Sequence, residues 1–185
     1  MKKTIEKITI GKKKFEAELL WAEKKDLPKL KKLYKAWVEL KNGLKEFDSR
    51  APNLPEGISE GAFSLEFDCP RVLNVKGTAA SYDCYNTKTH ERIQIKATTI
   101  RYDLTSFGPD SVWDTLYLLD FYRDGKFDGK YDVYKIPNDL IYNHQISKTQ
   151  TFRDQQKQKR RPRFGIKKSI IEVHDIKPLR TCKID

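Results

Sequence analysis

Ser81-Tyr82-Asp83-Cys84-Tyr85 and Arg92-Ile93-Gln94-Ile95-Lys96-Ala97-Thr98 are two β-prone runs joined by the polar stretch Asn86-Thr87-Lys88-Thr89-His90. In the second run Ile93, Ile95 and Ala97 alternate with Gln94, Lys96 and Thr98. Successive side chains of a strand point to opposite faces. This period of two therefore sends the aliphatics into a core and sets Gln94 and Lys96 together on the other face. The polar connection is compatible with a hairpin, which would bring Asp83 back beside Gln94. A carboxylate, an amide oxygen and an ammonium then converge on one patch of sheet. The bland alternative is a surface ion pair of Asp83 with Lys96 across two strands.

Outward from this pair the texture stays β. Val72–Val75, Ala79–Tyr85, Ile93–Ile100, Thr115–Phe121 and Tyr131–Ile136 are short β-prone runs punctuated by Gly, Asn, Asp and Pro, and Ser169–Ile176 reads as one last strand. Upstream, Ile58–Phe67 reads as a brief helix entered from a Pro- and Gly-rich loop, and its Glu60 could supply a further carboxylate. Residues 1–50 read as helical. Leu27, Leu30, Leu33, Trp37, Leu40 and Leu44 recur at spacings of three and four, with Asp26 as N-cap, Pro28 in the first turn and Asn42-Gly43 as the stop. The chain's 185 residues suit one domain: a helical N-terminal region (1–50), a catalytic core (51–148) and a basic segment (149–168).

Charge separates along the same divisions. The formal net charge is +11, built from +7 over residues 1–50, −3 over 51–148 and +7 over 149–168. A mildly acidic centre between basic flanks suits a metal-dependent site within a polyanion-binding surface. Cys69, Cys84 and Cys182 are far apart and form no C-x-x-C pair, which argues for reduced thiols and against a zinc finger. There is no G-x-x-x-x-G-K-[ST] loop, no G-x-G-x-x-G and no H-E-x-x-H, so nucleotide-driven, dinucleotide and zinc-protease chemistry are excluded as first readings. No apolar run approaches a membrane span, and Met1-Lys2-Lys3 opens no secretory signal, so a cytoplasmic location is expected. Asp124-Gly125-Lys126-Phe127-Asp128-Gly129 lacks the twelfth-position Glu of a calcium loop and reads as turns.

Arg153, Gln155, Gln156, Lys157, Lys159, Arg160, Arg161 and Arg163 cluster within eleven positions between Phe152 and Phe164. Arg and Lys bind phosphates, and Arg to guanine or Gln to adenine are the natural base contacts, so these eight are the candidate DNA-binding residues. Asp103, Ser106, Asn143 and His144 are further polar candidates near the cleft.

An Asp followed about ten residues later by an acid or Gln, any residue, and Lys is the P-D…(D/E)-x-K nuclease pattern. Asp83 and Gln94 offer the hard oxygen donors that Mg2+ prefers, substrate phosphate and water completing the shell. A metal held there acidifies a bound water, which Lys96 would orient or assist. Leu54-Pro55-Glu56-Gly57-Ile58-Ser59-Glu60, Ser81–Tyr85 with Gln94-Ile95-Lys96, and Asp103-Leu104-Thr105-Ser106-Phe107-Gly108-Pro109 resemble type II restriction endonucleases of the PD-(D/E)XK superfamily. Trp113-Asp114, Leu119-Asp120-Phe121 and Thr151–Gln156 are most similar to a small bacterial family that cuts the interrupted palindrome GCNGC. The resemblance spans roughly residues 50–175. It implies an α/β fold of restriction-endonuclease type, an α/β/α core with a central mixed sheet, acting as a Mg2+-dependent homodimer on double-stranded DNA. It further implies Asp83 as the metal-binding aspartate, Gln94 in the usually acidic position and Lys96 as the catalytic lysine. Gln94 removes one negative charge, and the resemblance implies that Glu60 compensates as a further metal ligand. A protecting DNA methyltransferase would be a separate chain. Two rival classes stand beside this reading: a non-catalytic DNA-binding protein, and an RNA-binding or RNA-processing protein.

Overall fold

Residues 2–21, expected to be helical, form a β-hairpin instead in the computed structural model, which describes residues 1–78 and 80–184. β1 (Lys2–Ile10) and β2 (Lys13–Trp21) pair antiparallel from Lys2↔Trp21 to Ile10↔Lys13. They turn at Gly11-Lys12, with Gly11 at φ 61°, a conformation that glycine adopts without steric cost. The cause is a period of two: Phe15, Ala17, Leu19 and Trp21 alternate along β2, and Ile8, Ala17 and Leu19 are buried. The abundant Lys and Glu, which favour helices, mask that alternation.

α1 (Leu27–Glu46) is the expected helix, with Pro28 in its first turn. It runs through Asn42-Gly43, and its buried face is rotated from the expected stripe. Leu30, Tyr34, Trp37 and Lys41 are buried, while Leu33 and Leu40 are exposed. Lys41 enters that face because its ammonium sits 3.7 Å above the Phe127 ring, an attraction to the ring's negative face. α2 (Glu56–Phe67) follows Pro55. Then come β3 (Arg71–Val75), β4 (Cys84–Tyr85), β5 (Arg92–Thr98), β6 (Thr105–Ser106), β7 (Thr115–Asp120) and β8 (Lys130–Ile136). Ala79, where the expected run Ala79–Tyr85 begins, lies outside the described residues.

The polar C-terminal third is more structured than its composition suggests. It holds α3 (Asn138–Tyr142), the small pair β9 (Gln145–Ser147) and β10 (Gln150–Thr151), α4 (Phe152–Lys157), β11 (Arg163–Phe164) and β12 (Arg180–Lys183). Ser169–Ile176 is not the last strand. A π-helical turn covers Lys167–Ile171 and buries Ile170 and Ile171, because a remote carboxylate, Asp103, accepts from Ile166 N and Lys167 N and caps its start. β-branched residues favour strands only weakly, and a cap of this kind overrides them.

Eight strands form one mixed sheet in the order β1-β2-β3-β4-β5-β7-β8-β12. β5 and β7 run parallel, from Ile93↔Thr115 to Thr98↔Asp120. α1 and α2 cover one face, packing Leu30, Trp37 and Phe63 onto Ile93, Ile95, Leu119 and Val133. α3, α4 and the π-turn cover the other, packing Ile141, Phe152 and Ile170 onto Leu116, Leu118 and Ile136. The layering is helix, mixed sheet, helix, as the α/β reading expects. Among the described residues no helix is long and apolar enough to cross a membrane. Cys69, Cys84 and Cys182 are all buried and free. Asp124 and Asp128 each accept a backbone N–H two residues on, and Gly125 and Gly129 take positive φ. That stretch is a pair of turns.

Candidate active site

The hairpin of β4 and β5 forms as read. Cys84 pairs with Ile93, and Asp83 N donates to Ile93 O at 2.9 Å, which places Asp83 opposite Gln94. On β5, Ile93 and Ile95 enter the core under α1 and α2, while Gln94 and Lys96 take the opposite face in register with Leu116 and Leu118. Ala97, expected in the core, is exposed. The strand there has left the cover of the helices and reaches the rim of a cleft. That cleft, of about 320 Å3, is lined by Glu56, Ser59, Glu60, Asp83, Lys96, Asp103 and Ser106 among others.

Asp83 is held on one oxygen. Oδ2 accepts from Ile95 N at 2.6 Å and from the Gln94 amide nitrogen, and Oδ1 has no bond among the described residues. Burial pushes the Asp83 carboxyl up to about 6, against the pull of the Ile95 N–H and the Lys96 ammonium. Gln94 is 5% exposed and turns its NH2, not its oxygen, toward Asp83. In this arrangement it steadies the carboxylate, and offering a metal its oxygen would require the amide to flip. The Lys96 ammonium lies 5.2 Å from the centre of the Phe107 ring and makes no salt bridge among the described residues. The cross-strand ion pair of the bland alternative is therefore absent.

Glu60 reaches the same cleft from α2 but is claimed by Arg71, whose Nε lies 2.6 Å from Glu60 Oε2. Burial first, and then the charge of Asp83, push Glu60 up to about 7. Sequence reasoning missed Arg71, which carries no local signal as the first residue of a strand. It also missed Glu56, four residues before Glu60 and so on the same helical face; that spacing was available. Glu56 raises both Glu60 and Asp83 electrostatically. Asp103 and Ser106 line the cleft as expected. Asn143 and His144 do not: the His144 ring packs 4.3 Å from the Phe164 ring.

The basic segment is fastened along the wall of this cleft. β11 pairs with β6, and Gln156 Nε2 donates to Gly108 O and Ser111 O at 3.3 Å each. Lys159 pairs with Asp110, Arg160 donates to Gln150 Oε1, and the Arg153 guanidinium lies 5.1 Å over the Tyr142 ring. Arg153, Lys157, Lys159, Arg160, Arg161 and Arg163 are exposed, whereas Gln155 is buried. Phe152 and Phe164 are core residues.

Residues 22–173 match the family described as Bsp6I restriction endonuclease. The chain belongs to that family. It is 39% identical over 163 residues to the type II restriction enzyme Bsp6I of Bacillus sp. (strain RFL6), a match that covers 83% of this chain and 88% of that enzyme. No solved structure matches. The family match begins at Ala22, directly after the β1–β2 hairpin, and ends at Val173, before β12. The matched residues hold α1 to α4 and the strands β3 to β11 of this chain.

Proposed function

We propose that this chain is a Mg2+-dependent type II restriction endonuclease of PD-(D/E)XK type, a single nuclease domain acting as a homodimer to hydrolyse both strands of DNA at GCNGC. The observation that carries the reading is that Asp83, directly before β4, and Lys96 of β5 line one cleft, in a chain 39% identical to a type II restriction enzyme. Bound Mg2+ would supply charge neutralisation at phosphorus and an acidified water.

Asp83 Oδ1 is the group that would hold the metal. Among the described residues no three His, Cys, Asp or Glu side chains converge into a cage. This suits Mg2+, which binds through one or two carboxylates and leaves its other positions to water and substrate phosphate. Gln94 would hold Asp83 in place or, with its amide turned, add an oxygen. Glu60 would join if substrate or metal drew it from Arg71. Lys96, on the same face and without a salt bridge among the described residues, would orient the attacking water and stabilise charge on the phosphorane. The exposed cations among Arg153, Lys157, Lys159, Arg160, Arg161 and Arg163 would take the phosphate backbone. Gln155 and Gln156 support the segment from within, so base reading falls to the arginines. A palindromic site matches a twofold dimer, one centre for each strand, and the protecting methyltransferase would be a separate chain.

Digestion of a plasmid of known sequence tests this reading. Discrete fragments that end at GCNGC and disappear with EDTA are expected. An intact plasmid with a salt-sensitive gel shift would leave a non-catalytic DNA-binding protein, and preference for structured RNA would leave an RNA-binding one.

A further inference from the structure

The segment between β5 and β6, Ile100 to Leu104, stands at the mouth of the cleft and combines two opposite properties. Its backbone is fastened. Asp103, 8% exposed, accepts from Thr105 Oγ1 and Ile166 N at 2.8 Å and from Lys167 N at 2.9 Å. Its carbonyl oxygen approaches Gly165 so closely that a Cβ there would lie 2.6 Å away. Its apolar side chains, by contrast, are left in water: Ile100 and Tyr102 are each 54% exposed and Leu104 68%. Ile100 and Leu104 line the same cleft as Asp83 and Lys96.

The surroundings select the occupant. The Tyr102 ring is bracketed by the Arg101 guanidinium at 5.3 Å and the Lys168 ammonium at 5.6 Å. Exposed apolar groups on a fixed backbone, with Arg101 and Lys168 at the Tyr102 ring beside them, fit a partner with anionic edges and flat apolar faces between them. Duplex DNA is such a partner: its phosphates lie outside its stacked bases. A second copy fits badly, because a twofold contact through this patch would press Arg101 and Lys168 against their own equivalents. Resting on the nuclease reading above, we infer that Ile100 and Leu104 form an apolar wedge that inserts against the base pairs beside the scissile bond and partly unstacks one step. Arg101 and Lys168 hold the flanking phosphates. Side chains of this type unstack and kink duplexes elsewhere, offsetting that cost with added contact. The buried Asp103 gives the wedge the stiffness that insertion needs.

The test uses the full chain, a duplex bearing one GCNGC with 2-aminopurine at its central position, and Ca2+ in place of Mg2+ to keep the duplex intact. The wild-type protein should raise the base-analogue fluorescence several-fold. The double variant Ile100→Ala with Leu104→Ala should lose that rise and bind about tenfold more weakly, with unchanged sedimentation and unchanged melting temperature. Both truncations lie at the surface, so folding is not at risk. A variant that raises fluorescence like the wild type overturns the wedge. So does one whose oligomeric state changes while the fluorescence rise persists, which would make the patch a subunit contact. Wild-type binding without any fluorescence change sinks the wedge alone, whereas a wild type that binds no duplex sinks the nuclease reading itself.

Discussion

Asp83 and Glu60 show what the cleft does to a carboxylate: burial lifts Asp83 to about 6 and Glu60 to about 7. A carboxyl whose pKa is higher folded than unfolded binds its proton more tightly in the folded state. Its contribution to stability is complete below the unfolded value near 3.8 and is lost as pH rises through about 6. Without divalent metal, Asp83→Asn should therefore be more stable than the wild type near pH 8, by on the order of 1–2 kcal/mol. The gain should vanish near pH 4. Urea unfolding at the two pH values measures it, and a loss of stability near pH 8 would show that the bonds to Ile95 N and Gln94 outweigh the charge. Asp83 and Lys96 were legible in the sequence because one strand's alternation fixes which side chains share a face. The orientation of Gln94 and the grip of Arg71 on Glu60 were not, since both depend on contacts that no spacing encodes.

Elements divide the same way. α1, α2 and the strands β3, β4, β5, β7 and β8 follow from periodicity and punctuation, whereas the short β6 was not expected. The failures fall where tertiary contact decides. The N-terminal hairpin buries an alternation disguised by charged residues, and the Lys167–Ile171 turn is capped by Asp103 from more than sixty positions away in sequence. That cap joins the cleft wall to the end of the basic segment, so it can be tested at Gly165. An added methyl group would meet the Asp103 carbonyl oxygen at 2.6 Å, and neither partner is the free end of a side chain. Gly165→Ala should cost about 1–3 kcal/mol of stability and slow cleavage more than it weakens binding. Thermal melting and single-turnover cleavage read the two effects, and a neutral substitution would mean that this junction is slack.

At the scale of the whole molecule, a net +11 charge is concentrated at the two basic flanks of an acidic centre. The second flank is joined to the cleft wall where β11 pairs with β6, and its arginines are exposed. Phosphate contacts release counterions, so the logarithm of the binding constant should fall linearly with that of salt concentration. Arg161→Ala should make the slope shallower by about 0.9 and weaken binding on every sequence alike. Equilibrium titration over a range of salt checks it. An unchanged slope would place Arg161 off the backbone, and a loss confined to one sequence would make it a base reader. The α/β class, the charge layout and the nuclease pattern were legible at this scale. The strand order and the eight-stranded extent of the sheet were not, because the hairpin that forms one edge was hidden.

The central claim is that Asp83 and Lys96 are one catalytic centre rather than two strand residues that happen to face the same way. Lys96→Ala, assayed for both binding and single-turnover cleavage of a GCNGC duplex with Mg2+, tests it most directly. The account predicts binding within about threefold of the wild type and a cleavage rate lower by at least about a hundredfold, in the range for removal of a charge-stabilising group. Cleavage at the wild-type rate by a folded Lys96→Ala protein would contradict it and move the chemistry elsewhere.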